Sequence, residues 1–229
     1  MLGSVMSPGP SSCRPRGAVD AGRYLELVSH ELRTPATSIH AAATVLRAQA
    51  PRLGEELRTE LVRDISEESE RLMRAIGDVL TLAQLDAGLG LQREPLLLQR
   101  IVPSLLSWER RRRPHVGLEL REQGTLPLIA GDEGGIRLLM QNLLAETEGS
   151  DEQPIIVELS VLQGTRGVQI RITGGKPLAD DRGPTLAGYT NERVVRAMGG
   201  WTDSREHADG HAEHRVWLPG FDQMNDDWT

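Results

Sequence analysis

The sequence predicts an α-helical hairpin followed by an α/β two-layer sandwich. Three observations carry this expectation. Apolar residues recur at Leu25, Val28, Leu32, Pro35, Ile39, Ala42 and Leu46, in alternating steps of three and four that define a heptad seam. Pro51 and Gly54 then interrupt the pattern, and a second amphipathic stretch follows. Beyond residue 93, strand-like and helix-like runs alternate. Aromatic residues make up only 3% of the 229, so the core must come from Leu, Val, Ile and Ala.

Bulk properties narrow the function. The net charge is −7, which gives a nucleic-acid partner no electrostatic support. The run Arg110 to Arg113 reads as the solvated end of a helix rather than a phosphate-binding patch. Cys13 is the single cysteine, so no intrachain disulfide framework exists, which suits a reducing, cytoplasmic setting. No stretch approaches the roughly 20 apolar residues of a membrane span, and Met1 to Pro10 lacks the apolar run of a signal peptide. Residues 1–18, rich in Pro, Gly and Ser, read as a disordered head.

The first helix is expected to start near Asp20, a suitable N-cap, and to end before Pro51. The second is expected from about Glu55 to Ala87, with Leu61, Ile65, Leu72, Ile76, Val79 and Ala83 on one face and Gly88 ending it. A hairpin with one apolar stripe per helix cannot bury itself alone. Pairing with a second copy through residues 19–90 makes a four-helix bundle, so a homodimer is expected.

His30 falls at heptad position f, pointing away from the seam, and is therefore expected on the solvent face. Its neighbours suit phosphoryl chemistry. Attack on phosphorus needs a neutral ring nitrogen and a partner for the other one. Glu31 is adjacent, and general-base help of this kind is worth about 10²–10⁴ in rate. Thr34 lies one turn on, where it can position a water for the reverse hydrolysis. Pro35 has no N–H, so the Glu31 carbonyl loses its helical partner and a bend is expected.

The stretch Ser29-His30-Glu31-Leu32-Arg33-Thr34-Pro35 resembles the H-box of sensor histidine kinases in every position, and the hairpin through Thr81 to Gly88 resembles their dimerisation and phosphoacceptor domain. The resemblance implies that His30 is the phosphoacceptor, Glu31 the acid/base of autophosphorylation and Thr34 the phosphatase residue. It also implies an ATP-binding domain of Bergerat type next, spanning residues 93–220, with ATP and Mg²⁺ as ligands and a response-regulator receiver domain as partner.

The scaffold of that domain is legible as a helix from Leu98 to about Arg111, strands Val116–Glu122 and Leu126–Ala130, and a helix Ile136–Glu148. Strands Ile155–Leu162 and Val168–Thr173, a helix Glu192–Met198 closed by Gly199-Gly200, and a final hairpin over Trp201–His207 and His211–Leu218 complete it, with an acidic tail over 221–229. Its chemistry is not kept. The N-box pattern matches through Asp132, Asn142, Leu143 and Leu144, but Glu146 stands where the family places its Mg²⁺-holding asparagine. Gly174-Gly175 follows the strand where an adenine-reading aspartate is expected, and Asp180 and Asp181 come too late to replace it. The segment from Leu186 to Asn191 keeps one glycine of a second glycine-rich box, and the lid before it is shortened. Asn142, Glu146, Gly174 and Gly175 are thus the residues of a degenerate ATP site. His207, His211 and His214 alternate along a hairpin without a cysteine, and no metal site is expected from them.

An intact H-box beside an eroded ATP site favours a two-component phosphorelay protein, in which His30 exchanges a phosphoryl group with a response-regulator aspartate. An active sensor histidine kinase and a non-catalytic pseudokinase scaffold are the alternatives.

Overall fold

The computed structural model describes residues 21–49, 52–147, 149–150, 152–162, 164–175, 185–208 and 210–222. The head, Cys13, Lys176 to Asp181 and residues 223–229 lie outside them.

Helix α1 (Ala21–Gln49) and helix α2 (Glu55–Asp86) form the expected hairpin. Pro35 lies inside α1, and the helix continues past it. The heptad seam faces inward at Pro35 and Ala42, both buried, and is half-buried at Val28, Leu32, Ile39 and Leu46. Leu25 departs from the expectation and is 63% exposed.

The inner face of α2 also differs from the single stripe expected. Ala75, Asp78 and Leu82 are the buried residues, whereas Ala83 is exposed and Ile76 is 39% exposed. The reason is that α2 has two different neighbours. It packs on α1, and from Glu70 onward it also carries the second domain.

The second domain opens with strand β1 (Glu94–Leu96), a short element that the sequence pattern did not reveal. It pairs antiparallel with β3 (Ile129–Gly131). Helix α3 (Leu98–Arg112) buries Leu98, Ile101, Val102, Leu105 and Leu106 on one side. Strands β2 (Leu118–Gln123), β4 (Ile155–Val161), β5 (Val168–Gly174), β6 (Trp201–Glu206) and β7 (Ala212–Leu218) form one sheet in the order β2-β4-β5-β7-β6, with only the β2–β4 pair parallel. Alternate residues of β4 and β5 are fully buried, Ile155, Val157 and Leu159 against Val168, Ile170 and Ile172. They share one core with Ile136, Leu139, Met140, Leu143 and Leu144 of helix α4 (Glu133–Ala145) and with Val194 and Val195 of helix α5 (Leu186–Ala197). The other face of the sheet carries ion pairs, Glu158–Arg171 at 2.7 Å and Asp203–Arg215 at 3.1 Å.

Three details revise the sequence reading. Helix α5 begins at Leu186, not at Glu192, because the Thr185 side chain caps it by accepting from the Gly188 amide at 2.9 Å. The arginine run is only in part a solvated helix end: Arg110 and Arg111 are exposed, and Arg112 and Arg113 are half-buried. Arg110 donates to the Leu118 carbonyl, Arg113 to the Leu144 carbonyl, and Arg112 to Glu70 and to the buried Glu109. The fold also continues past residue 220, since the Phe221 amide donates to the Leu128 carbonyl at 2.8 Å.

Helix α5 ends in a Schellman motif. Gly199 takes φ +80°, its amide donates to Arg196, and the Gly200 amide donates to Val195. A Cβ on Gly200 would drive into the Trp217 carbonyl oxygen, while one on Gly199 meets only Pro219 at 3.5 Å. Gly200→Ala should therefore cost about 2–3 kcal/mol in urea unfolding. Gly199→Ala, which strains only its own backbone, should cost about 1 kcal/mol. The reverse order would contradict this account of the turn.

Candidate functional site

The two domains meet beside His30, and the site is built from both. His30 is exposed on α1, as its heptad phase requires. The Thr34 hydroxyl donates back to the His30 carbonyl at 3.0 Å, the usual bond of a hydroxyl residue within a helix. Glu31, the next residue, turns toward α2, and its carboxylate lies 3.8 Å from Arg71. Ser29, His30 and Arg33 share the solvent side, while Leu27, Val28 and Leu32 turn inward.

Inward, those three residues close a small apolar cluster with Tyr24, Ala75, Val79, Leu82, Leu186 and Tyr189. Leu186 is 1% exposed there, although it opens a helix of the other domain. Burying a leucine contributes about 2 kcal/mol. Tyr189 meets Tyr24 with ring centroids 5.7 Å apart, and Arg193 lies over the Tyr189 ring and pairs with Asp86 at 2.5 Å.

Asn142 is central to this contact. Its side-chain amide donates to Asp78 of α2 at 2.8 Å and to Asn191 of α5 at 3.2 Å. All three residues are buried. Glu146 ends α4, and its carboxylate accepts from the Thr185 hydroxyl at 3.0 Å, tying the end of α4 to the start of α5. Asn142 and Glu146 therefore do lie in one region, but with side-chain partners within the protein. Gly174 and Gly175 lie at the end of β5, where Gly174 is buried opposite Ala212 and the Gly175 carbonyl accepts from the Ala212 amide at 3.1 Å. The residues that follow, 176–184, are outside the described region.

The histidines of the final hairpin diverge. His207 pairs with Glu213 at 3.3 Å, and His214 turns inward to Ser204 at 2.8 Å. Burial holds the His214 ring below its ordinary pKa.

Asp78 was not singled out by sequence. The available signal was a carboxylate within the otherwise small and apolar series Ala75, Asp78, Leu82 and Leu85. Burial pushes its carboxyl from 3.8 up to about 6, against the hydrogen bonds from Asn142 and Thr190 and the Arg74 charge, with Glu31 adding to the rise. Glu146 is raised as well, first by burial, opposed by the Thr185 hydrogen bond and reinforced by Asp78 and Glu31. The sign follows directly. A carboxyl whose pKa is higher in the folded state contributes stability that is full below pH 3.8 and is lost as pH rises through about 6. Measured against Asp78→Asn, which retains Glu146, wild-type stability should fall by about 2 kcal/mol between pH 4 and pH 7 in urea titrations. A pH-independent difference would contradict the assignment.

Comparison with known proteins gives this geometry its family. The His Kinase A (phospho-acceptor) domain matches residues 21–88. The chain is 32% identical over 161 residues to the circadian input-output histidine kinase CikA of Synechococcus elongatus, covering 67% of this chain and 21% of that protein. It is 33% identical over 129 residues to the signal transduction histidine-protein kinase/phosphatase MprB of Mycobacterium ulcerans, covering 53% of this chain and 25% of that protein. The chain thus spans about a fifth to a quarter of the length of these curated relatives. Among solved structures, the Acinetobacter baumannii histidine kinase AdeS shares the fold with a TM-score of 0.60 at 16% identity, over 84% of this chain and 98% of that one. Full-length ShkA in complex with AMPPNP does so with 0.53 at 19% identity, over 88% of this chain and 46% of that one. With a phosphoacceptor hairpin, an α/β sheet domain behind it and relatives of this kind over both, the chain belongs to the sensor histidine kinase family.

Proposed function

We propose that this protein is a two-component phosphorelay element. His30 accepts a phosphoryl group from, or passes it to, the aspartate of a response-regulator receiver domain, and the second domain binds ATP weakly or not at all. One observation carries the reading. His30 faces solvent on a hairpin whose companion domain uses its N-box side chains on protein partners, Asn142 on Asp78 and Asn191, and Glu146 on Thr185. Glu146 stands in place of the family's Mg²⁺-holding asparagine, with one carboxylate oxygen engaged by Thr185, and position 174 carries no adenine-reading carboxylate, so the described residues depart from the family's Mg–ATP pattern at two positions. His30 would be the nucleophile, Glu31 the proton partner of its ring and Thr34 the residue that positions water for hydrolysis. Thr34 would first have to turn its hydroxyl away from the His30 carbonyl.

Autophosphorylation from ATP is the second reading. The likeness to MprB, whose name gives it kinase and phosphatase activities, favours it. The two readings separate cleanly. Incubation with a phosphorylated receiver domain should label wild type and leave His30→Ala unlabelled, while radiolabelled ATP with Mg²⁺ should label neither. Label from ATP on wild type would replace the relay with the kinase. Equal label on His30→Ala would remove His30 from both, leaving the scaffold reading.

The relay is further inferred to work as a homodimer through residues 19–90. Met73, Ile76 and Leu80 form an apolar stripe opposite the Ala75–Leu82 face and are 68%, 39% and 59% exposed. Val62 extends it toward the loop of the hairpin, at 56% exposed. A stripe of this kind on one helix is what a four-helix bundle buries. Met73→Glu with Leu80→Glu should convert a dimer to a monomer in sedimentation equilibrium. A wild-type protein that sediments as a monomer at tens of micromolar would refute the assembly.

A further inference from the structure

A cleft of about 600 Å³ runs between α2 and the outer side of α4 and is bounded by the segment that joins the domains. Gly77, Thr81 and Gln84 line it from α2, and Leu138 and Gln141 from α4. Leu89, Leu91 and Gln92 come from the joining segment. Gly77 stands beside Leu138, and Gln92 is held near the start of α4, where its amide donates to Asp132 at 3.1 Å. From Gly77 to Gln84, and from Gly134 to Gln141, each helix wall is about 10 Å long. Among the described residues, neither Asn142 nor Glu146 lines this cleft.

The space exists because side chains are missing from it. Gly77 lies in the interior of α2, where glycine weakens a helix. A Cβ there would meet only Leu138 Cδ1, at 3.9 Å, so the packing leaves room for a larger residue. Gly90, also in the lining, has nothing within 4 Å of its Cβ position. The hairpin thus gives up helix stability at Gly77 without a close contact that requires it.

The free polar groups of the lining are of one kind. The side chains of Thr81, Gln84, Gln92 and Gln141 have no hydrogen-bond partner among the described residues, and Thr81 and Gln141 are half-buried. The charged groups, by contrast, are engaged. Arg137 pairs with Glu133 at 2.9 Å, and the Asp132 carboxylate accepts from the Gly135 amide at 2.7 Å as well as from Gln92. The cleft therefore holds carboxamides and a hydroxyl around a leucine floor, with its charges paired. A carboxamide carries a donor and an acceptor side by side, as a peptide unit does, so the two can pair through two hydrogen bonds. A length of about 10 Å is that of about three residues of extended chain. Alternate side chains of such a chain face opposite ways, so a middle apolar side chain would rest on Leu138 while its neighbours point out.

We propose that this cleft is a binding site for a short uncharged peptide in extended form, about three residues long, with Gln84, Gln92 and Gln141 pairing with its backbone and Leu138 receiving its middle side chain. The site is separate from the phosphoryl chemistry of His30 and from any nucleotide beside Asn142.

The probe is N-acetyl-Ala-Leu-Ala-amide, titrated into the full chain labelled with ¹⁵N and followed by NMR through the glutamine side-chain signals. Those of Gln84, Gln92 and Gln141 should shift saturably with a Kd below about 1 mM. The same peptide with N-methylated backbone amides, and N-acetyl-Ala-Asp-Ala-amide, should each bind about tenfold more weakly or worse. The first lacks the donors and the second lacks the apolar side chain. Gln84→Leu and Gln141→Leu should each weaken the peptide by about fivefold, and Gly77→Leu, which fills the space, by about tenfold or more. Gln84 is exposed, so its substitution leaves the fold intact and decides alone if Gly77→Leu disturbs α2. The absence of a saturable shift below about 5 mM peptide, equal binding of the N-methylated peptide, or wild-type affinity in Gln84→Leu overturns the proposal. Adenosine is the control ligand. If it shifts these glutamines at lower concentration than the peptide does, the cleft reads nucleobases and the peptide assignment falls.

Discussion

The carboxylate of Asp78 is enclosed by three helices that belong to two domains, and the arrangement of the whole chain depends on that enclosure. A buried acid is costly unless its hydrogen bonds are supplied. Here Asn142 of α4 donates to it at 2.8 Å, so the acid is buried with a partner only when α4 has arrived.

The face that presents His30 lies away from that contact. Leu27, Val28 and Leu32 pack inward with Leu186 and Tyr189, while Ser29, His30 and Arg33 stay outward, as the heptad phase requires. Glu31 falls between the two faces. It pairs with Arg71, and its charge reaches Asp78 and Glu146. Phosphorylation of His30 would add about −1.5 to −2 charge one residue from Glu31. It would do so beside an acidic group whose burial is already unfavourable, so the state of His30 and the docking of the second domain share an electrostatic environment.

The packing around Glu146 accounts for it in physical terms. Glu146 stands where the family pattern calls for an asparagine, yet it is not stranded. Thr185 donates to it and at the same time caps α5, so its carboxylate is part of the tie between two helices. The core around it, Ile136, Leu139, Met140, Leu143 and Leu144, is buried regardless of what the rim binds. Burial stabilises that core whatever the activity.

Periodicity alone determined the two long helices, the outward phase of His30 and the alternation of strands around Ile155–Val161 and Val168–Gly174, because each depends on contacts made by neighbours in sequence. The family motif around His30 was equally legible, being seven consecutive residues. The early start of α5 rests on a local cap, Thr185 on the Gly188 amide, that the sequence reading passed over. The partners of Asp78, the fate of Arg112 and Arg113 and the pairing of β1 with β3 were decided by tertiary structure. Each joins residues far apart in the chain, Asp78 to Asn142 and Thr185 to Glu146 among them, and a local pattern carries no record of which distant group will arrive. A carboxylate on an amphipathic helix and an arginine at a helix end both read as solvated until another domain covers them. Only the docking of α4 and α5 on α2 converts the first into a buried junction between the two domains.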